Sequence, residues 1–167
     1  MRLRRPGVPG AVAARVSGRP LAFAETVDGT WLVGTRSELV VVGPDGETRI
    51  PWERVEGADW NRDASLLRFT EIGVYGAPRP SYAFTLPEVE PAALLQLIRE
   101  RVTASVVLQR GQLVSGKRGF KVIGRRSPVG GPISWMHEYD DGIDPDDPEV
   151  AAAAEAVLRQ ARADVGE

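Results

Sequence analysis

The residues best equipped for chemistry in this chain lie between Gly111 and Asp147. Gly111-Gln-Leu-Val-Ser-Gly116-Lys117-Arg118 has the glycine and lysine spacing of a phosphate-cradling loop. Such a loop needs Ser or Thr after the lysine to hold magnesium, and it must open a helix so that backbone N–H groups and the helix dipole converge on phosphate. Here Arg118 takes the hydroxyl position and the following Gly119-Phe-Lys-Val-Ile reads as strand. A hairpin turn at Gly111 or Gly116 accounts for the run without nucleotide hydrolysis. His137, the sole histidine, stands beside Glu138. A carboxylate can orient an imidazole base, yet no activated nucleophile can be named near it. Asp140-Asp-Gly-Ile-Asp-Pro-Asp-Asp is dense in carboxylates but lacks the alternating ligand register and closing Glu of a calcium loop, and Pro145 interrupts it. A solvated linker that caps the last helix is the expectation. Cysteine is absent, which excludes thiolate metal centres, disulfides and cysteine nucleophiles. No catalytic residue, metal site or cofactor is assigned.

Charge is the clearest anomaly. The 167 residues carry 21 Lys+Arg against 23 Asp+Glu, a net charge of -2, so no whole-molecule field draws the chain to nucleic acid or anionic lipid. Locally, no acidic residue lies between Arg101 and His137, whereas Arg110, Lys117, Arg118, Lys121, Arg125 and Arg126 are basic; immediately afterwards Glu138, Asp140, Asp141, Asp144, Asp146, Asp147 and Glu149 are acidic. Three readings stay open: the two stretches solvate the surface and partly neutralise one another, the basic stretch binds an anionic partner, or it docks another subunit. Lys117, Arg118, Lys121, Arg125 and Arg126 are the candidate binding residues. Only Phe120 interleaves them, which gives little support to base stacking.

The elements that must position these residues follow from periodicity. Leu21 to Leu86 reads as short strands separated by turns: Leu21-Ala-Phe-Ala-Glu-Thr, Trp31-Leu-Val-Gly-Thr-Arg and Glu38-Leu-Val-Val-Val, broken at Asp28-Gly29 and Pro44-Asp45-Gly46. Arg49-Ile-Pro-Trp52 fits an edge strand, and Leu66–Ile72 and Ser81–Leu86 continue the sheet. After Pro91, Leu94, Leu95, Ile98 and Val102 fall at helical spacing. Strand composition returns at Ser105, Phe120 and Ile133. A last helix is capped by Asp147, with Pro148 in its first turn and an apolar stripe of Val150, Ala154, Val157, Leu158 and Ala161. Of the four tryptophans, Trp31, Trp52 and Trp60 lie within the strand-rich region, where core packing is expected.

Val33-Gly-Thr35-Arg-Ser-Glu-Leu39-Val-Val-Val and Ile50-Pro-Trp52-Glu53-Arg-Val55-Glu-Gly-Ala-Asp-Trp60 resemble the bacterial PH-like family, related in style to GRAM domains, over about residues 20–103. The resemblance implies a mainly-β fold with α: a PH-like antiparallel β-barrel plus a capping helix, here with extra C-terminal strands and a terminal helix. The Arg-, Gly- and Pro-rich start of the chain suggests a flexible or loosely docked N-terminal extension (1–19), followed by the PH-like barrel and helix (20–103), a basic β-rich extension (104–140), and an acidic linker with the C-terminal helix (141–167). The resemblance implies binding rather than catalysis. The first hairpin, Glu25-Thr-Val-Asp28-Gly29-Thr30, is acidic, so phosphoinositide recognition does not carry over.

The expectation is thus a non-catalytic binding or scaffolding module with a protein partner. The alternative is a nucleic-acid-associated or anionic-ligand-binding protein, the ligand class including anionic lipid, that uses Lys117–Arg126. Arg15 interrupts the apolar run a signal peptide would need, and no stretch approaches the ~20 apolar residues of a membrane span. A cytoplasmic protein is expected.

Overall fold

A computed structural model describes residues 7–87 and 91–167. The chain is mainly β, with three antiparallel sheets, and divides into two compact units, one ending at Thr103 and the other spanning Ala104–Glu167.

In the first unit a meander forms the sheet β1 (Ala22–Glu25), β2 (Trp31–Gly34), β3 (Glu38–Val42) and β4 (Glu47–Pro51), in that order. Short turns set its register. Gly29, at φ +83°, supplies the left-handed residue of the first, and the Thr35 backbone and hydroxyl both engage Glu38 in the second. Pro51 ends β4, and a single 3₁₀ turn, Trp52–Arg54, redirects the chain into the sheet β5 (Val55–Asn61), β6 (Leu66–Glu71) and β7 (Ser81–Thr85). Alternation turns Ala22, Leu32, Leu39 and Ile50 of the first sheet, and Val55, Leu67 and Phe69 of the second, into one core. Trp52 fills its centre, fully buried, with Nε1 donating to the Thr35 carbonyl at 2.9 Å. The helix α2 (Ala92–Ser105) adds Leu94, Leu97 and Ile98.

The expected barrel is not closed. The strands form two separately hydrogen-bonded sheets, because β4 ends at a proline and a tight turn rather than running on into β5. The Val27 N–H to Thr85 carbonyl bond, 3.0 Å, ties the far side together.

Of the expected extension, residues 1–6 lie outside the described residues. The rest is docked on the first sheet. A short helix, α1 (Gly10–Ala13), brings Val8, Val12 and Val16 onto Val33, Val40, Val42 and Trp31 on the outer face of the first sheet. Arg15 fixes it by donating to the Gly43 carbonyl (2.8 Å) and pairing with Glu47 (2.9 Å).

The second unit is a sheet in the order β10 (Ser134–Tyr139), β9 (Arg118–Arg125), β8 (Val106–Ser115), covered on one face by α3 (Pro148–Asp164). The hairpin turns at Gly116, φ +60°, while Gly111 lies inside β8. Phe120 and Val122 face Val150, Ala154 and Ala161, whose small side chains let helix and sheet approach closely. The segments 104–140 and 141–167, distinct in charge, therefore share one core. No helix among the described residues is long and apolar enough to cross a membrane.

Candidate binding groove

The basic residues singled out by sequence do not form one patch. On β9 alternate residues face opposite sides, so Arg118 lies on the α3 side with Phe120 and Val122, while Lys121 and Arg125 lie on the other. Arg118 and Arg125 stand at opposite ends of the strand, about 23 Å apart at ~3.3 Å per residue. Lys117 is exposed in the hairpin turn. Lys121, also exposed, sits in register between Gly111 and Glu138. Arg125 is buried, 6% exposed, and donates to Ser105 Oγ at 3.4 Å. Arg126 is exposed and binds the Ser105 carbonyl through its own backbone N–H at 2.8 Å.

The acidic loop folds back on the hairpin. Asp140 Oδ2 accepts from Gly119 N–H at 2.7 Å, and Arg118 Nη1 donates to the Asp141 carbonyl at 3.0 Å. Other carboxylates are committed to the backbone: Asp144 accepts from Asp146 N–H, and Asp147 caps α3 by accepting from Glu149 N–H at 2.8 Å. Arg110 pairs with Asp164 near the end of α3. Basic and acidic stretches thus engage each other. His137 stacks on Tyr139, ring centroids 6.1 Å apart, on the α3 side of β10, in register with Val122. Burial, with Asp146 nearby, raises the Tyr139 hydroxyl above its usual range.

The first unit holds a better-formed site. A groove of about 220 Å³ runs between β5–β6 and α2. Trp60 and Leu67 are opposite one another in register and line it from the sheet; Leu95, Ile98, Arg99 and Val102 line it from the helix. Spacing along α2 explains the division. Leu94, Leu97 and Ile98 sink into the core, whereas Leu95 and Val102, displaced around the helix, stay half-buried at the groove. β5 is an outer strand of its sheet, so Ala58 on its inward face stays exposed at the groove's mouth.

Two of the lining residues carry hydrogen-bond donors without a partner among the described residues. Trp60 Nε1 is buried with no acceptor among the described residues, a state that costs about 1–3 kcal/mol. Arg99 is exposed and has no ion-pair partner among the described residues. Apolar contacts from Trp60, Leu67, Leu95, Ile98 and Val102, with the polar Asp59, Arg99 and Thr103 beside them, suit an apolar side chain flanked by polar backbone groups. Sequence reading missed this groove, because Trp60 and Leu95 are far apart in the chain and only the packing of α2 unites them.

Compared with protein-family models, with curated proteins and with solved structures, the chain matches none.

Proposed function

We propose that this chain is a non-catalytic binding module of PH-like type, which holds an apolar side chain of a protein partner in the groove between β5 and α2. The observation that carries the reading is a groove of about 220 Å³ in which Trp60, Leu67, Leu95, Ile98 and Val102 meet beside the polar Asp59, Arg99 and Thr103. Size favours a protein partner. Sites for small-molecule ligands typically span roughly 300–1,000 Å³, whereas a cavity of about 150 Å³ already accepts one benzene ring. This groove matches one large side chain, the way a protein partner anchors. The PH-like type is supported by the sequence resemblance and by four strands, then three, then a helix in chain order.

The alternative, an anionic partner at Lys117–Arg126, is weakened by the split of those residues over two faces and by the acidic loop beside Arg118.

Selection of peptides from a random library tests the reading. Enriched peptides should share an apolar anchor, and Leu95→Lys, a substitution at a half-buried position, should abolish their binding. Equal binding by that variant would overturn the groove. Salt-sensitive capture of oligonucleotides instead, with log affinity falling by about 0.9 per neutralised phosphate for each tenfold rise in salt, would favour the alternative.

A further inference from the structure

The N-terminal segment covers only part of the outer face of the first sheet. Glu25, Trp31, Val42 and Glu47 stand in register across its four strands, and Phe23 and Val33 lie in the next row on the same face. At one end of the first row the N-terminal segment supplies a cation, Arg15, which pairs with Glu47 at 2.9 Å. At the other end Glu25 is exposed, with no ion pair among the described residues. Beside it lies an aromatic pair. Phe23, 36% exposed, and half-buried Trp31 have ring centroids 6.1 Å apart and planes tilted by 44°. Glu25 and Trp31 are cross-strand partners, which sets their Cβ atoms about 5 Å apart. Glu25 is also two residues from Phe23, about 7 Å along the strand.

We propose that Glu25, Phe23 and Trp31 form a receptor for a cationic side chain, arginine above all, carried by a basic segment of a protein partner. Charge and ring electrostatics together select the occupant. Between Leu21 and Gly34 the only charged residues are Glu25 and Asp28, so the hairpin is acidic and holds no cation of its own. Aromatic faces carry the negative part of the ring quadrupole, so a cation within ~6 Å of the two centroids is drawn to both rings and to the adjacent carboxylate at once. An acidic side chain meets repulsion there, and an apolar one leaves Glu25 unanswered. Arginine suits the site better than lysine, because a planar guanidinium stacks on a ring while its N–H fork reaches a neighbouring carboxylate. Leu21, 41% exposed and two residues before Phe23, extends the apolar surface against which an alkyl stem can lie. Each contact is weak alone, so the site reads one residue of a longer segment rather than a free ion. It is separate from the groove at Trp60 and does not depend on it.

The probe is the peptide acetyl-Gly-Arg-Gly-Arg-Gly-amide, and the readout is the indole N–H resonance of Trp31, assigned with Trp31→Phe. The arginine peptide should move that signal saturably. Its lysine counterpart should bind more weakly, and its glutamine counterpart should leave the signal in place. Glu25→Gln and Phe23→Leu, both at exposed positions, should each raise Kd by about two- to fivefold, whereas Leu95→Lys in the groove should leave it unchanged. A shift seen only after Arg2, Arg4 and Arg5 are changed to Gln would assign the receptor to this chain's own N-terminus and overturn the partner. A signal that the peptide never moves, an equal response to the arginine and glutamine peptides, or a Kd unaltered by both Glu25→Gln and Phe23→Leu would overturn the receptor itself.

Discussion

A Cβ placed on Gly119 would lie 1.9 Å from the carbonyl oxygen of Gln112. Gly119 is in register with Leu113, next to the irregularity at the end of β8, and its lack of a side chain lets the two backbones approach. Because the obstacle is backbone, no rotamer change relieves it. Gly119→Ala should destabilise the second unit by about 3 kcal/mol or more, whereas Lys117→Ala in the exposed turn should stay within about 0.5 kcal/mol. Chemical denaturation of both variants measures the difference.

Trp52 is the keystone of the first unit, fully buried and bonded to the Thr35 carbonyl. Trp52→Phe keeps most of the apolar volume but orphans that carbonyl, at a cost of about 1–3 kcal/mol. Trp52→Ala opens a cavity as well and should cost about 3–5 kcal/mol. Thermal melts should rank them in that order.

The packed N-terminal segment separates apolar from ionic anchoring. Val16 is 8% exposed, whereas the Arg15–Glu47 pair is 33% and 36% exposed. Solvent screening holds that pair to about 0–1 kcal/mol. Glu47→Gln should therefore barely move the denaturation midpoint, and Val16→Asp, which sets a carboxylate against Val33, Val40 and Val42, should move it clearly.

Hydrogen bonds from Thr26 and Thr30 hold the Asp28 carboxyl below its usual 3.8. A depressed folded-state pKa contributes stability that is present above the unfolded value and lost as pH falls through the folded value. Asp28→Asn should thus remove part of the acid-induced loss of stability below about pH 4 and leave the neutral-pH slope unchanged. Denaturation midpoints followed from pH 7 downward check this.

How far the fold can be read from the chain depends on how local each signal is. The cap of α3 was fully legible, because Asp147 and Pro148 act on the turn that follows them. Most strands were legible from alternation, although β5 showed none, and glycine left the hairpin turn open between Gly111 and Gly116. The open side of the first unit was not legible, since separation of the sheets depends on whether β4 and β5 share a ladder. Val8, Val12 and Val16 were hidden among glycine and proline, and their packing needs the outer face of a sheet formed later in the chain. The basic run looked like a patch because sequence adjacency was read as spatial adjacency; strand alternation sends Arg118 and Lys121 to opposite faces. The groove depends on Trp60 meeting α2, a long-range contact with no local signature.

The most direct measurement of the central claim is the indole N–H resonance of Trp60 in ¹H–¹⁵N spectra, assigned with Trp60→Phe and titrated with N-acetyl-leucinate. That ligand offers an isobutyl group and a carboxylate, and at ~0.3 kcal/mol per non-hydrogen atom its Kd should fall in the millimolar range. The account predicts a saturable shift of the Trp60 signal, abolished by Leu95→Lys and weakened by Arg99→Gln. A signal that does not move, or one that moves equally in Leu95→Lys, would contradict it.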